Sequence, residues 1–126
     1  MLKEGILKDK IVLAVDDEQD VIDTIEEELD MCIVDKAYTY NEASQFLLSY
    51  HYDIVVLDII GVNGFELLKI AAYRGFPTVI LTAHAVSQEI QKKSKKMGAI
   101  SFLPKEKMHE LVELLEGVLS GKGNRV

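Results

Sequence analysis

Tyr52-Asp53-Ile54-Val55-Val56-Leu57-Asp58-Ile59-Ile60-Gly61-Val62-Asn63-Gly64 is the stretch on which the rest of the chain is read. An apolar run stops at a carboxylate and breaks into a glycine-rich turn. Such an unbroken Val/Ile/Leu run is the pattern of a parallel strand buried on both faces, and ligand sites in open α/β sheets lie just beyond the carboxyl ends of those strands. Asp58 therefore stands where chemistry occurs in such sheets. An aspartate there can equally cap a turn or the following helix. What the other strand ends carry separates the two readings.

Working outward, Ile11-Val12-Leu13-Ala14-Val15 is a second apolar run, and it ends on Asp16-Asp17-Glu18 much as Leu57 ends on Asp58. Across residues 18–30, Val21, Ile22, Ile25 and Leu29 recur at helical spacing, with acidic residues filling the other face. Residues 33–38 form a less apolar strand, interrupted by Asp35 and Lys36 as expected at a sheet edge. Asn41 and Glu42 open a helix with Ala43, Phe46, Leu47 and Tyr50 as its buried stripe. After the Asp58 strand, Gly64 precedes a helix carrying Phe65, Leu67, Leu68, Ile70 and Ala71, and Gly75 closes it. A fourth strand, residues 77–81, ends on Thr82. A helix from about 86 to 97 carries Lys92, Lys93, Lys95 and Lys96, and a fifth strand, residues 99–103, ends at Pro104-Lys105. Leu111, Val112, Leu114, Leu115, Val118 and Leu119 mark the last helix. Five strands alternating with five helices imply a doubly wound α/β fold with a parallel sheet, because parallel strands need crossovers and crossovers are right-handed. The most apolar strands, the first, third and fourth, belong inside, which agrees with the order 2-1-3-4-5.

The 126 residues suit one domain, and 48% hydrophobic content supplies an ordinary core. A formal charge of −7 argues against a general nucleic-acid or membrane-surface role, which needs a basic face. Cys32 is the only cysteine, so no intrachain disulfide forms; it is expected in the core. Lys3, Glu4, Lys8, Asp9 and Lys10 interrupt the N-terminus, and no run reaches the 18 or so apolar residues a membrane span needs, so a cytoplasmic protein is expected. The expected domain is 8–120, with 1–7 and 121–126 as flexible termini.

In this fold the strand ends open on one edge, so Asp16, Asp17, Asp58, Thr82 and Lys105 converge. Clustered carboxylates repel one another unless a cation sits among them. Mg²⁺ suits this all-oxygen set better than zinc does. Asp58 can then attack a phosphoryl group and hold it as an acyl phosphate, with Thr82 donating a hydroxyl hydrogen bond and Lys105 supplying fixed positive charge.

On these motifs the chain resembles the response-regulator receiver domain of two-component signalling, whose chemotaxis member is a standard example of the 2-1-3-4-5 order. The carriers are Val15-Asp16-Asp17-Glu18, Asp53-Ile54-Val55-Val56-Leu57-Asp58, Gly64-Phe65-Glu66-Leu67-Leu68, Leu81-Thr82-Ala83, Gly98-Ala99 and Phe102-Leu103-Pro104-Lys105. The resemblance implies that Asp58 is the phosphoacceptor, that Asp16 and Asp17 hold Mg²⁺ with Asp58 and the Ile60 backbone carbonyl, and that Thr82 and Lys105 sense the phosphoryl group. It places Phe102 at the aromatic switch position; from the residues alone it is equally a core aromatic.

The chain also departs from the family. The loop from Asp58 to Gly64 is about two residues shorter than the usual Met-Pro-x-Met-Asp-Gly kind and lacks its proline. Pro104 precedes Lys105, where the family often has a proline after the lysine, joined by a cis bond. Ile60 and His84 stand two positions beyond Asp58 and Thr82, where receivers tune hydrolytic water; an apolar Ile60 implies slow dephosphorylation. His84 reads otherwise as a solvated loop residue, as do His51 and His109. The lysine run is expected to be a solvated helix face, or else to meet an acidic partner.

The function expected is a stand-alone receiver, not an enzyme beyond Mg²⁺-dependent self-phosphorylation and slow autodephosphorylation. A sensor histidine kinase or phosphotransfer protein donates, and phosphorylation biases protein binding, including a possible homodimer through the fourth helix, fifth strand and fifth helix. One alternative is a pseudo-receiver that binds without phosphorylation. A remoter one is an aspartate-nucleophile phosphatase, which would want a carboxylate at Ile60.

Overall fold

The computed structural model describes residues 4–83 and 87–121. Its sheet has five parallel strands: β1 (Ile11–Val15), β2 (Ile33–Ala37), β3 (Ile54–Asp58), β4 (Thr78–Thr82) and β5 (Ala99–Pro104), in the order β2-β1-β3-β4-β5. The expected order holds, and β2 lies at an edge with its first four residues at least partly exposed. Every residue of β3 and β4 is buried. That is why their sequences run apolar without alternation.

The helices are α1 (Glu4–Leu7), α2 (Gln19–Glu28), α3 (Tyr40–Ser49), α4 (Gly64–Tyr73), α5 (Gln88–Lys96) and α6 (Leu111–Leu119), with a 3₁₀ stretch at Lys105–Glu110 before α6. One face of the sheet packs against α3, α4 and α5 through Leu13, Val15, Val55, Leu57 and Ile80. The other packs against α1, α2 and α6 through Val12, Ala14, Ile54, Val56, Val79 and Leu81. The alternation of these strand residues between faces follows from the period of two along a strand. Thr39 caps α3 by accepting from the Glu42 N–H at 3.1 Å, while Glu42 Oε1 accepts from the Tyr38 N–H at 2.8 Å.

Two expectations need correction. Six α-helices form, because the leader adds α1. The segment 1–7 is thus not a flexible tail throughout: Leu7 is fully buried in the α2/α6 core, its carbonyl accepts from Cys32 Sγ at 3.4 Å, and the Asp9 N–H donates to Met31 O at 2.9 Å. Residues 1–3 and 122–126 lie outside the described residues, as do His84 and the expected helix start at Val86.

Candidate functional site

The site is built where β1, β3, β4 and β5 end. After Val15 the chain leaves the sheet through a tight turn in which Asp16 Oδ1 accepts from the Glu18 N–H at 2.9 Å. That bond points the other oxygen, Oδ2, inward. Asp16 is fully buried and Asp58, the last residue of β3, is 4% exposed. Two buried carboxylates at neighbouring strand ends are costly without positive charge. Lys105 supplies it: the residue follows β5, and its Nζ lies 2.8 Å from Asp16 Oδ2, 3.0 Å from Glu18 Oε1 and 3.7 Å from Asp58 Oδ1. No cis peptide bond occurs among the described residues, so Lys105 reaches the carboxylates with a trans bond to Glu106.

The electrostatics follow from this geometry. Burial pushes the Asp16 carboxyl above its ordinary 3.8; the Lys105 ammonium and the Glu18 N–H pull it down, and the Asp58 charge pushes it further up. Burial alone would lower Lys105, yet its close pairing with the Asp16 and Glu18 carboxylates, with the Asp58 charge behind them, outweighs that and raises it above 10.5. The ammonium is therefore a fixed charge, able to hold an anion but not to act as a proton donor near neutrality.

Thr82 ends β4 and is 5% exposed. Its position is set by register: Leu81 pairs with Asp58 on one side, and Thr82 pairs with Pro104, the residue before Lys105, on the other. Asp58, Thr82 and Lys105 thus come from three adjacent strand ends. Asp17 approaches from β1: a Cβ added to Gly61 would collide with Asp58 Oδ2 and stand 2.8 Å from Asp17 Oδ1, so both carboxylates close over the same glycine. Ile60 is 64% exposed, and its N–H donates to Asp58 Oδ1 at 3.4 Å. Phe102 pairs with Ile80 and is partly buried against the α3–α5 face. Its packing fits a core aromatic and also places it directly beneath the Thr82–Pro104 pair.

Glu18 was not singled out from the sequence. It joins Asp16 and Asp17 in a group whose carboxylate oxygens lie within 4.8 Å of one another, and it shares Lys105 with Asp16. Its place directly after the acidic doublet was the only signal available.

The donor set fits a hard divalent cation. Asp16 Oδ2 is fully buried and, although charge-paired with Lys105, has no aligned hydrogen bond. Asp17 Oδ1 and Asp58 Oδ2 both stand against Gly61, within 2.8 Å of where its Cβ would be. These are carboxylate oxygens only, the chemistry Mg²⁺ prefers.

The sequence matches the response regulator receiver domain over residues 12–116. A comparison with curated protein sequences finds no significant match. Among solved structures, the chain superposes on a CheY-like response regulator receiver domain protein from Methanospirillum hungatei with a TM-score of 0.82 at 23% identity, covering 94% of this chain and 100% of that one. A response regulator from Thermotoga maritima gives 0.79 at 24% identity, covering 89% and 98%. A putative response regulator from Chloroflexus aurantiacus gives 0.78 at 25% identity, covering 90% and 99%. With the acidic doublet, Asp58, Thr82 and Lys105 each at its own strand end, and a family match spanning all of them, the chain belongs to the response regulator receiver domain family.

Proposed function

We propose that this receiver takes a phosphoryl group on Asp58 from a sensor histidine kinase or a phosphotransfer protein in the cytoplasm. The observation that carries the reading is Lys105, which spans Asp16 and Asp58 from β5 and leaves Asp58 both buried and facing a fixed positive charge. An Asp58 oxygen attacks phosphorus; the new O–P bond forms as the donor's P–N bond breaks, and the electron pair returns to the donor imidazole. Lys105 and the Ile60 N–H lie on the Asp58 Oδ1 side, where they offset charge on the incoming phosphoryl oxygens. The Thr82 hydroxyl, one register step from Asp58, donates to the same group. Asp16, Asp17, Asp58 and the Ile60 carbonyl would hold Mg²⁺, which when bound neutralises phosphoryl charge.

Phosphorylation then biases a two-state surface that a downstream protein or a second copy reads. Incubation with Mg²⁺ and acetyl phosphate should add one phosphoryl mass to the protein and none to Asp58→Asn. No gain in either supports a pseudo-receiver, and sustained turnover of the donor supports a phosphatase.

A further inference from the structure

The loop between β3 and α4 contains two glycines that serve different ends. At neither Gly61 nor Gly64 does φ lie in the left-handed region; Asn63 takes that conformation instead, at φ 57°. Glycine is therefore present at both places for space. At Gly64 an added Cβ would meet backbone, at 2.5 Å from Asp58 O and Ile59 Cα and 2.6 Å from Ile59 O. The Gly64 N–H donates to Ile59 O at 3.1 Å, which pins the short loop back onto the end of β3. Gly64 is a matter of fold.

At Gly61 the nearest atoms belong to side chains. The atoms nearest its absent Cβ are Asp58 Oδ2 and then Asp17 Oδ1 and Cγ, at 2.8 and 3.1 Å. Its N–H donates to Asp58 Oδ2 at 3.0 Å, while the Ile60 N–H reaches Oδ1 at 3.4 Å. The two amides thus fix the plane of the carboxylate, with one oxygen turned toward Asp17 and the other toward Lys105. Near Gly5 and Gly117, by contrast, a Cβ would meet nothing within 4 Å.

We propose that Gly61 is a positioning residue of the phosphoacceptor site: its missing side chain lets the Asp17 and Asp58 carboxylates stand together against the loop, where they would serve as ligands of one divalent cation, and its N–H orients Asp58 Oδ2. This rests on the reading of Asp58 as the phosphoacceptor. Because the atoms that collide are the far ends of two side chains, alanine at position 61 should be accommodated by displacing both carboxylates, with the fold kept and the two oxygens moved out of place.

The test is a Mg²⁺ titration of the full chain, followed by melting temperature, for wild type, Gly61→Ala and Gly117→Ala. Gly61→Ala is expected to melt within a few degrees of wild type without Mg²⁺, to bind Mg²⁺ at least tenfold more weakly, and to gain phosphoryl mass from acetyl phosphate correspondingly more slowly. Gly117→Ala should keep wild-type affinity. Equal Mg²⁺ affinity in Gly61→Ala overturns the proposal and leaves the phosphoacceptor reading standing. Loss of the metal-free fold in Gly61→Ala also overturns it, since Gly61 would then serve the fold. If wild type shows neither a Mg²⁺-dependent shift nor a mass gain, the functional reading falls and takes the proposal with it.

Discussion

Helices α4 and α5 lie on the same face of the sheet and follow the strands that end in Asp58 and Thr82, yet they are held in opposite ways. α4 buries Gly64, Leu67, Leu68 and Ala71. α5 buries only Ser94, whose hydroxyl has no hydrogen-bond partner, while Ile90 and Met97 are partly buried and Lys92, Lys93, Lys95 and Lys96 are exposed. Lys93 leans over the Phe65 ring of α4, its Nζ 4.2 Å from the centroid. Ser87 caps α5, accepting from the Ile90 N–H at 3.2 Å. Few buried apolar contacts place an element at the low end of local stability. Under the function proposed above, that contrast would set the attacking carboxylate before the well-packed helix and, beside it, an element that small free energies can move.

The largest effect should come from truncating the rigid side. Leu68→Ala removes a fully buried side chain from α4 and should cost about 2–5 kcal/mol in urea unfolding. Ile90→Ala on α5 should cost under about 1.5 kcal/mol, because its side chain already meets solvent. Equal losses would break the contrast between the helices. Next in size, Gly64→Ala should cost about 1–3 kcal/mol, since its Cβ meets backbone that can shift only by moving the loop. A neutral result would mean that the start of α4 is far more yielding than its packing implies.

The sheet and most of the site were legible because each depends on local pattern: unbroken apolar runs for β1, β3 and β4, and a polar residue at the end of each. The strand order followed from the polarity of β2. What was not legible depends on partners distant in sequence. Leu7 reads as part of a charged leader until the fold places it in the same buried cluster as Leu29, Leu111 and Leu115. Glu18 reads as the first residue of a helix until Lys105 arrives from 87 positions away. Gly61 and Gly64 read alike, as turn glycines, and only the positions of Asp17, Asp58 and Ile59 distinguish them.

Ser94 sharpens the comparison from the other side. A buried hydroxyl without a partner penalises the packed position of α5, so Ser94→Ala should stabilise the protein by about 1 kcal/mol. Alanine is also the better helix former. A loss of stability would show that the hydroxyl is bonded in solution, and that α5 is more firmly seated than its burial suggests.

The smallest effect is a pH response confined to the well-packed side. Tyr52 precedes β3, is buried, packs edge-on against Phe76 at 6.0 Å, and donates its hydroxyl to Asp35 Oδ2 at 2.7 Å. Burial first, then the bond to Asp35 and its charge, raise the phenol above its ordinary 10.0. Below that pH the phenol is protonated in both the folded and unfolded chain, and its contribution is fully present. Above it the unfolded chain releases the proton while the folded chain keeps it, so stability falls as pH rises. The loss should stay under about 1 kcal/mol at pH 10.5, by linkage from the unperturbed phenol value. Tyr52→Phe should remove the part of the slope that begins near pH 10. Lys105, raised above 10.5 by its carboxylates, should still give a decline at higher pH in that variant. An unchanged slope in Tyr52→Phe would mean that the phenol ionises equally well in the folded chain, so that the end of the sheet opposite the site is open to water and the rigid platform does not extend beyond β3 and α4.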